Sequence, residues 1–213
     1  MLIALAVAVA VSALLAIVAD WNETKPRAFL VLKPLTTILI AGIAALAPES
    51  EYRTLILLGL GLSLLGDIAL MFASNAAFLT GLSSFLLAHL VFMWAFLAGI
   101  ATWTIPWWAY GFVVYGLLFA AVLLPRAGGL KIPVLLYGAI LMGMAITASI
   151  RWQGLGGDTG LLALIGASLF VISDSALGAR KFLGRYRGAQ GVILSTYWSA
   201  IALIAASALS VGA

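Results

Sequence analysis

A chain of 213 residues is long enough for one or two soluble domains, but 65% of it is apolar and only 8% charged, with a mean hydropathy of +1.21. Soluble domains carry about half apolar and a quarter charged residues, so a water-filled surroundings would leave most of this chain without a place to bury its side chains. The absence of cysteine excludes disulfides, thiol catalysis and Cys-type zinc sites. A net charge of +4, with no basic tract or stripe, points to anionic membrane lipids as the charged partner and argues against nucleic acid.

A bilayer crossing takes about 20 predominantly apolar residues, and apolar runs fall at 2–18, 28–46, 54–73, 76–99, 104–124, 131–150, 159–178 and 189–211. The expected fold class is therefore all-α: a polytopic membrane helix bundle of eight transmembrane helices, folded as a single domain over 1–213, since no intervening loop is long enough to fold alone. The first run lacks a positively charged n-region and is long enough to span, so it reads as helix one rather than as a cleaved signal peptide. In the second run Lys33 precedes Pro34, which disfavours helical geometry before it, and the helix is expected to begin or kink there. A helix start would aim free N–H groups and the Lys33 ammonium at a phosphate; a kink would leave a snorkelling lysine.

Small residues recur four apart at Ala41 and Ala45 and at Gly59 and Ser63, a spacing that lets helices approach closely. Trp103, Trp107, Trp108 and Tyr110 head the fifth run, as aromatic anchors do at a membrane interface. The loops after helices one, three, five and seven together hold Lys25, Arg27, Arg126, Lys131, Arg180, Lys181, Arg185 and Arg187, whereas the opposite side holds Arg53 and Arg151. Cytoplasmic loops retain the excess of cations, so both termini are expected to be non-cytoplasmic.

Ionisable residues inside apolar runs cost a few kcal/mol each and mark candidate sites. There are four, Lys33, Asp67, His89 and Asp174. At about 1.5 Å of rise per residue, Lys33, Asp67 and Asp174 fall in the cytoplasmic half, the two aspartates roughly one to two turns from a helix end. His89 comes nearer the midplane, and Tyr137 and Tyr197 lie within about three turns of the cytoplasm. Six polar groups from six helices thus share one band of depth. For the carboxylates a structural reading also stands, in which Lys33 and cytoplasmic arginines pair with them as buried glue; for His89 it is packing, and for the tyrosines packing or interface anchoring.

The segments KPLTT from Lys33, LLGDIALMF from Leu64, GLSSFLLAH from Gly81, SDSALGARKF from Ser173 and STYWSA from Ser195, in this order, resemble the YhhN-like lysoplasmalogenase family. Two departures stand out: Phe92, where many relatives carry tyrosine, and Ile201, where an amide is usual. The resemblance implies hydrolysis of the vinyl ether bond of a lysoplasmalogen, a single-chain ether phospholipid, to a fatty aldehyde and a glycerophospho-base. No metal or cofactor is expected, and the expected location is a bacterial cytoplasmic (inner) membrane.

The residues suit that chemistry in their own right. Vinyl ethers break after protonation of the β-carbon, and two carboxyls can divide the work as in glycoside hydrolysis. Asp67 and Asp174 are the expected pair, with His89 as a third catalytic candidate and Lys33, Tyr137 and Tyr197 as substrate-binding residues. Gly66–Asp67 with a second membrane aspartate also resembles an intramembrane aspartyl protease, but the proline-alanine-leucine motif and nine-helix layout of that class are missing. A small proton-coupled transporter or lipid-binding protein is the third reading, for which no internal repeat or pair of broken helices is present.

The charge asymmetry makes a direct prediction. Reporters fused at Gly184 and at Ala213 should read opposite compartments, Gly184 being cytoplasmic. The same compartment at both positions would remove helix eight from the topology.

Overall fold

A computed structural model describes residues 1–22 and 24–209. The described chain forms eight long helices: α1 (Leu2–Ala19), α2 (Arg27–Ala45), α3 (Glu51–Ala69), α4 (Asn75–Leu97), α5 (Tyr110–Leu123), α6 (Lys131–Leu155), α7 (Gly157–Phe182) and α8 (Ala189–Ala206). All eight mark spans of sufficient length and apolarity to cross a bilayer. For α5 the span Trp107–Arg126 includes short 3₁₀ turns at Trp107–Ala109 and Leu124–Arg126. The chain is an integral membrane protein with the eight-helix, all-α architecture its composition calls for.

Local chemistry explains where the helices begin and stop. The Ser50 and Ser74 side chains cap α3 and α4 by accepting from the backbone N–H groups of Arg53 and Ala77. The expected third span reached residue 73, but α3 ends at Ala69, and the Lys25 ammonium accounts for the stop by donating to the carbonyls of Leu70 and Met71 at 3.0 and 2.9 Å. Arg180 and Lys181 in the last turn of α7 favour its continuation to Phe182, past the expected 178, through their attraction to the C-terminal dipole. Asp67 therefore sits in the final turn of its helix and Asp174 about two turns before the end of its own.

Two other boundaries depart from the apolar runs. Residues 151–158 read as a loop, yet α6 continues to Leu155 and α7 starts at Gly157, the turn being made at Gly156 and Gly157 with φ of +64° and +59°. The second helix does not begin at Pro34: α2 starts at Arg27 and contains the proline. Lys33 is accordingly a buried mid-helix residue, and a helix N-terminus beside it is corrected to one seven residues upstream, next to Pro26. The Trp-rich segment is partly as expected, with Trp103, Trp107 and Tyr110 exposed, while Trp108 packs edge-on against Trp152 at 5.7 Å.

Six helices close a ring in which α2, α3, α4, α6, α7 and α8 each touch their neighbours and α8 returns to α2. Outside it, α1 lies against α2 and α8, and α5 lies against α6 and α7. These two spans are the least buried of the eight, as elements facing lipid on most sides should be. Small residues set the closest approaches: a Cβ on Gly59 would fall 2.3 Å from the Phe92 ring, and one on Gly166 would fall 2.8 Å from the Ala200 carbonyl oxygen. Gly59 and Ser63 are buried in that contact, whereas Ala41 is half-buried and Ala45 exposed.

At the end of the bundle opposite Lys25, Arg151 is buried with its guanidinium 3.7 Å from the centre of the Tyr52 ring. Its Nη1 donates to the carbonyl of Ala98 at 3.1 Å, with those of Ala95 and Phe96 at 3.4 Å, closing the C-terminus of α4. Tyr52 in turn shares a 2.7 Å hydrogen bond with Ser207. Arg151→Met should therefore lower stability by about 1–3 kcal/mol, the cost of buried acceptors left without donors. Thermal unfolding in detergent measures this, and a midpoint no lower than that of the exposed-site control Arg126→Met would discount the clamp.

Candidate active site

Each of the six ring helices sends one or more polar or aromatic side chains inward at similar depth. From α2 come Lys33 and, one turn on, Thr37; α3 supplies Asp67, α4 His89, α6 Tyr137, α7 Asp174 and α8 Tyr197. Lys33 and Thr37 share a face because residues four apart on a helix lie one above the other. All six residues singled out in the sequence thus meet inside one ring, which their common depth alone left undecided.

Two carboxyl centres organise the group. The Lys33 ammonium lies 3.3 Å from Asp67 Oδ1 and donates to the Asp67 carbonyl oxygen at 3.3 Å. The hydroxyls of Thr37 and Tyr197 each donate to Asp67 Oδ2 at 2.7 Å. At the second centre the Tyr137 hydroxyl donates to Asp174 Oδ2, and His89 Nε2 stands 4.0 Å from the same oxygen. Among the described residues no hydrogen bond reaches Asp174 Oδ1, and neither ring nitrogen of the fully buried His89 has a partner.

Aromatic rings join the centres. Phe170 contacts His89 at 4.6 Å and Tyr197 at 5.5 Å, while Phe85 contacts Phe170 at 6.1 Å and Tyr197 at 5.7 Å, all edge to face. His89 also meets Tyr137 edge-on at 5.3 Å. These ring contacts pack the tyrosines and the histidine against one another between α4, α6, α7 and α8.

Two cavities open onto this cluster. A polar basin of about 730 Å³ includes Lys33, Asp67, Asp174 and Tyr197 in its wall and opens among the loops that follow α1, α3 and α7, where Lys25, Arg180 and Arg185 line it. An apolar groove of about 360 Å³ runs between α5, α6 and α7, walled by residues such as Phe119, Leu123 and Met142, with Tyr137 and Asp174 at its inner end. Leu70, Phe78, Phe85, Asp174 and Leu177 belong to both walls, so Asp174 stands where groove and basin meet.

The family model described as the YhhN family matches residues 28–208. The chain belongs to the YhhN family. Among its relatives, the lysoplasmalogenase TMEM86B of Homo sapiens is 33% identical over 191 residues, covering 84% of this chain and 74% of the relative. The lysoplasmalogenase TMEM86A of Bos taurus is 30% identical over 159 residues, 73% of this chain and 65% of its own. An uncharacterized membrane protein YhhN of Escherichia coli is 27% identical over 205 residues, 94% and 96% of the two chains. No solved structure matches the chain at a significant level.

Some of the cluster was not singled out in the sequence. Thr37 was within reach, standing four residues after Lys33 in the quoted KPLTT segment. Asp20 stands in the turn after α1, yet it is fully buried and accepts from Gln190 Nε2 and from the Lys25 N–H, each at 2.6 Å. Nothing local distinguishes such a residue from an exposed loop aspartate. Phe92 and Ile201, the two departures from the family pattern, are fully buried and line neither cavity.

The Lys33–Asp67 contact predicts a non-additive pair. Breaking a buried ion pair from one side costs about 3–5 kcal/mol, because the remaining charge is left uncompensated. Lys33→Met should lose that much, and adding Asp67→Asn should recover a large part of it. Unfolding of the single and double variants in detergent tests this; strictly additive losses would mean that the two groups do not share their charge.

Proposed function

We propose that this chain is a membrane hydrolase of the lysoplasmalogenase type, cleaving the vinyl ether bond of a single-chain ether phospholipid to a fatty aldehyde and a glycerophospho-base. The observation that carries the reading is the junction of an apolar groove and a polar basin at Asp174. A lysoplasmalogen is divided in the same way, its hydrocarbon chain on one side of the vinyl ether and its glycerophosphate head on the other. With the chain in the groove and the head in the basin, the bond to be cleaved lies beside a carboxyl. The names of the human and bovine relatives support the same activity.

Cleavage begins with transfer of a proton to the β-carbon, which leaves an oxocarbenium ion. Water then adds at the α-carbon, and the hemiacetal breaks to aldehyde and alcohol, so that one water is consumed and the proton is returned. Asp174 is the proton donor in this scheme, since Tyr137 holds one of its oxygens and the other remains for the proton. Asp67 is the ionised partner, with the Lys33 ammonium as its countercharge. It stabilises the cation and receives a proton from the attacking water, as the second carboxylate of a glycoside hydrolase does.

Lys33, Tyr137 and Tyr197 then serve the substrate through the carboxyls they orient. The cycle closes when the proton taken up by Asp67 passes back to Asp174, and His89, 4.0 Å from Asp174 Oδ2, is the group through which it returns; catalytic contacts are often long before substrate binds. A peptide would need hydrogen-bonding partners along its whole backbone at membrane depth, and the apolar groove suits a hydrocarbon better than the substrate of an aspartyl protease. The excess of cations around the basin supports an opening toward the cytoplasm of a bacterial inner membrane.

Aldehyde release from a 1-alkenyl lysophospholipid by purified protein tests the scheme. Asp174→Asn and Asp67→Asn should each lower turnover by about 10²- to 10⁴-fold, the range of a positioned acid or base. The double variant should be little worse than either single one, because the pair acts as a unit. A near-wild-type rate in either variant would remove that aspartate from the chemistry, and a wild-type protein releasing no aldehyde would remove the reaction.

A further inference from the structure

The apolar groove faces lipid along one side and Asp174 at its inner end. Leu117 of α5 and Leu135 of α6 belong to its wall and are 67% and 50% exposed, on helices that cross the membrane. That exposure is to the hydrocarbon of the bilayer, so the groove runs from lipid to the carboxyl. There the Asp174 side chain is 10% exposed, and its Oδ1 has no hydrogen bond among the described residues. Water gains little in a space with so few polar partners, whereas a lipid chain exchanges one apolar environment for another.

Contacts between the helices locate the opening. A Cβ on Gly116 would fall 2.7 Å from Met142 Cγ, so α5 meets α6 closely there, and a Cβ on Gly178 would fall 3.0 Å from Leu123 Cδ2, where α5 meets α7. Ala120 lies between these contacts. Because α5 and α6 are successive spans, they run antiparallel, and residues one turn from a shared contact come level on facing sides. Ala120 follows Gly116 by four and Gly138 precedes Met142 by four, and both are half-buried in the groove wall. Gly138 is also the residue after Tyr137, the partner of Asp174, so the gap stands at the level of the site. Four glycines line the groove, and a Cβ on Gly116, Gly143 or Gly178 would meet Met142, Met93 or Leu123 within 3.1 Å. A Cβ on Gly138 would stand in open space. Glycine inside a helix is less favourable than alanine, and no neighbour requires it here; what the missing side chain leaves is room.

We propose that the gap between α5 and α6 at Ala120 and Gly138 is a lateral window through which the hydrocarbon chain of a single-chain lipid passes from the bilayer to Asp174, and that the absent side chain at Gly138 sets how much bulk is admitted beside the carboxyl. The proposal rests on the lipid hydrolase reading for the reaction at the end of the groove, and on the groove itself for the lipid. A lipid already in the membrane reaches the site by this route without exposing its methylenes to water, which is unfavourable for each one. Its head enters the basin, which joins the groove at Asp174.

Filling the gap tests the window separately from the reaction. Purified protein in non-ionic detergent is titrated with hexadecyl lysophosphatidylcholine, whose saturated ether the proposed reaction does not cleave. Gly138→Leu and Gly138→Phe should weaken its binding roughly 5- to 150-fold, the range of overfilling a packed site, with Gly138→Ala between them and wild type. Leu118 is exposed on α5 outside the groove wall, so Leu118→Phe adds bulk to the lipid-facing side only and should bind as wild type does. Should Gly138→Phe not fold, the Leu and Ala variants decide the matter. Wild-type affinity in the Leu and Phe variants, an equal loss in Leu118→Phe, or no binding by wild type would each overturn the proposal. So would unchanged lipid affinity joined to a smaller particle in light scattering, which would make the gap a contact between copies of this chain. Graded loss of binding, with no aldehyde released from a 1-alkenyl lysophospholipid by wild type, would uphold the window and count against the hydrolase reading. Aldehyde release that falls with Asp174→Asn but not with Gly138→Phe would do the reverse.

Discussion

Everything inside the ring depends on how one carboxylate is held out of water. Asp67 is buried in a membrane-spanning helix, where an isolated charge would cost several kcal/mol. Three side chains from two other helices close on it: Lys33 on one oxygen, Thr37 and Tyr197 on the other. Those bonds tie α2, α3 and α8 together at one depth. An ion pair of this kind is weak evidence for stability, since apolar replacements of similar volume often fold as well or better. Such a pair fits a site that needs charge more than a core that needs glue.

Asp174 is built differently, and the difference gives the pair its use. It has a phenol and a histidine nearby but no lysine or arginine within ion-pair distance among the described residues. Its side chain forms part of the common wall of two cavities of opposite character. In the proposed reaction the paired carboxylate carries charge and the unpaired one carries the proton. That division comes from which neighbours each helix presents, as the two residues are chemically identical.

The two outer helices stand beside the cluster rather than within it. α5 completes the apolar groove without contributing a polar group to the ring, and it is held mainly by α6 and α7. A hydrogen bond from the Tyr115 hydroxyl to Ser175, 2.6 Å long, links it to α7 one residue beyond Asp174. On the other side α1 ends in Asp20, which anchors the basin through Gln190. The outer helices thus add to walls that the ring helices otherwise supply, α5 to the groove and Asp20 at the end of α1 to the basin.

The number of spans, the all-α class and the candidate residues were legible in the sequence because membrane insertion is decided locally. A run of about 20 apolar side chains is sufficient for it, and an ionisable residue within such a run stands out by its cost. Helix ends were less legible. Lys25 stops α3 from a different loop, and Arg151 closes α4 from within α6, so neither boundary is written in the segment it belongs to. Partnership was not legible at all: Asp67 meets Tyr197 from 130 positions away and Gln190 meets Asp20 from 170. Depth along a helix follows from counting residues, but lateral neighbours follow from how the ring closes, and that depends on small-residue contacts such as Gly166 against Ala200 that carry no local signature in an alanine-rich chain. The sequence by itself determined which residues had to avoid lipid; the tertiary structure decided which of them would face one another.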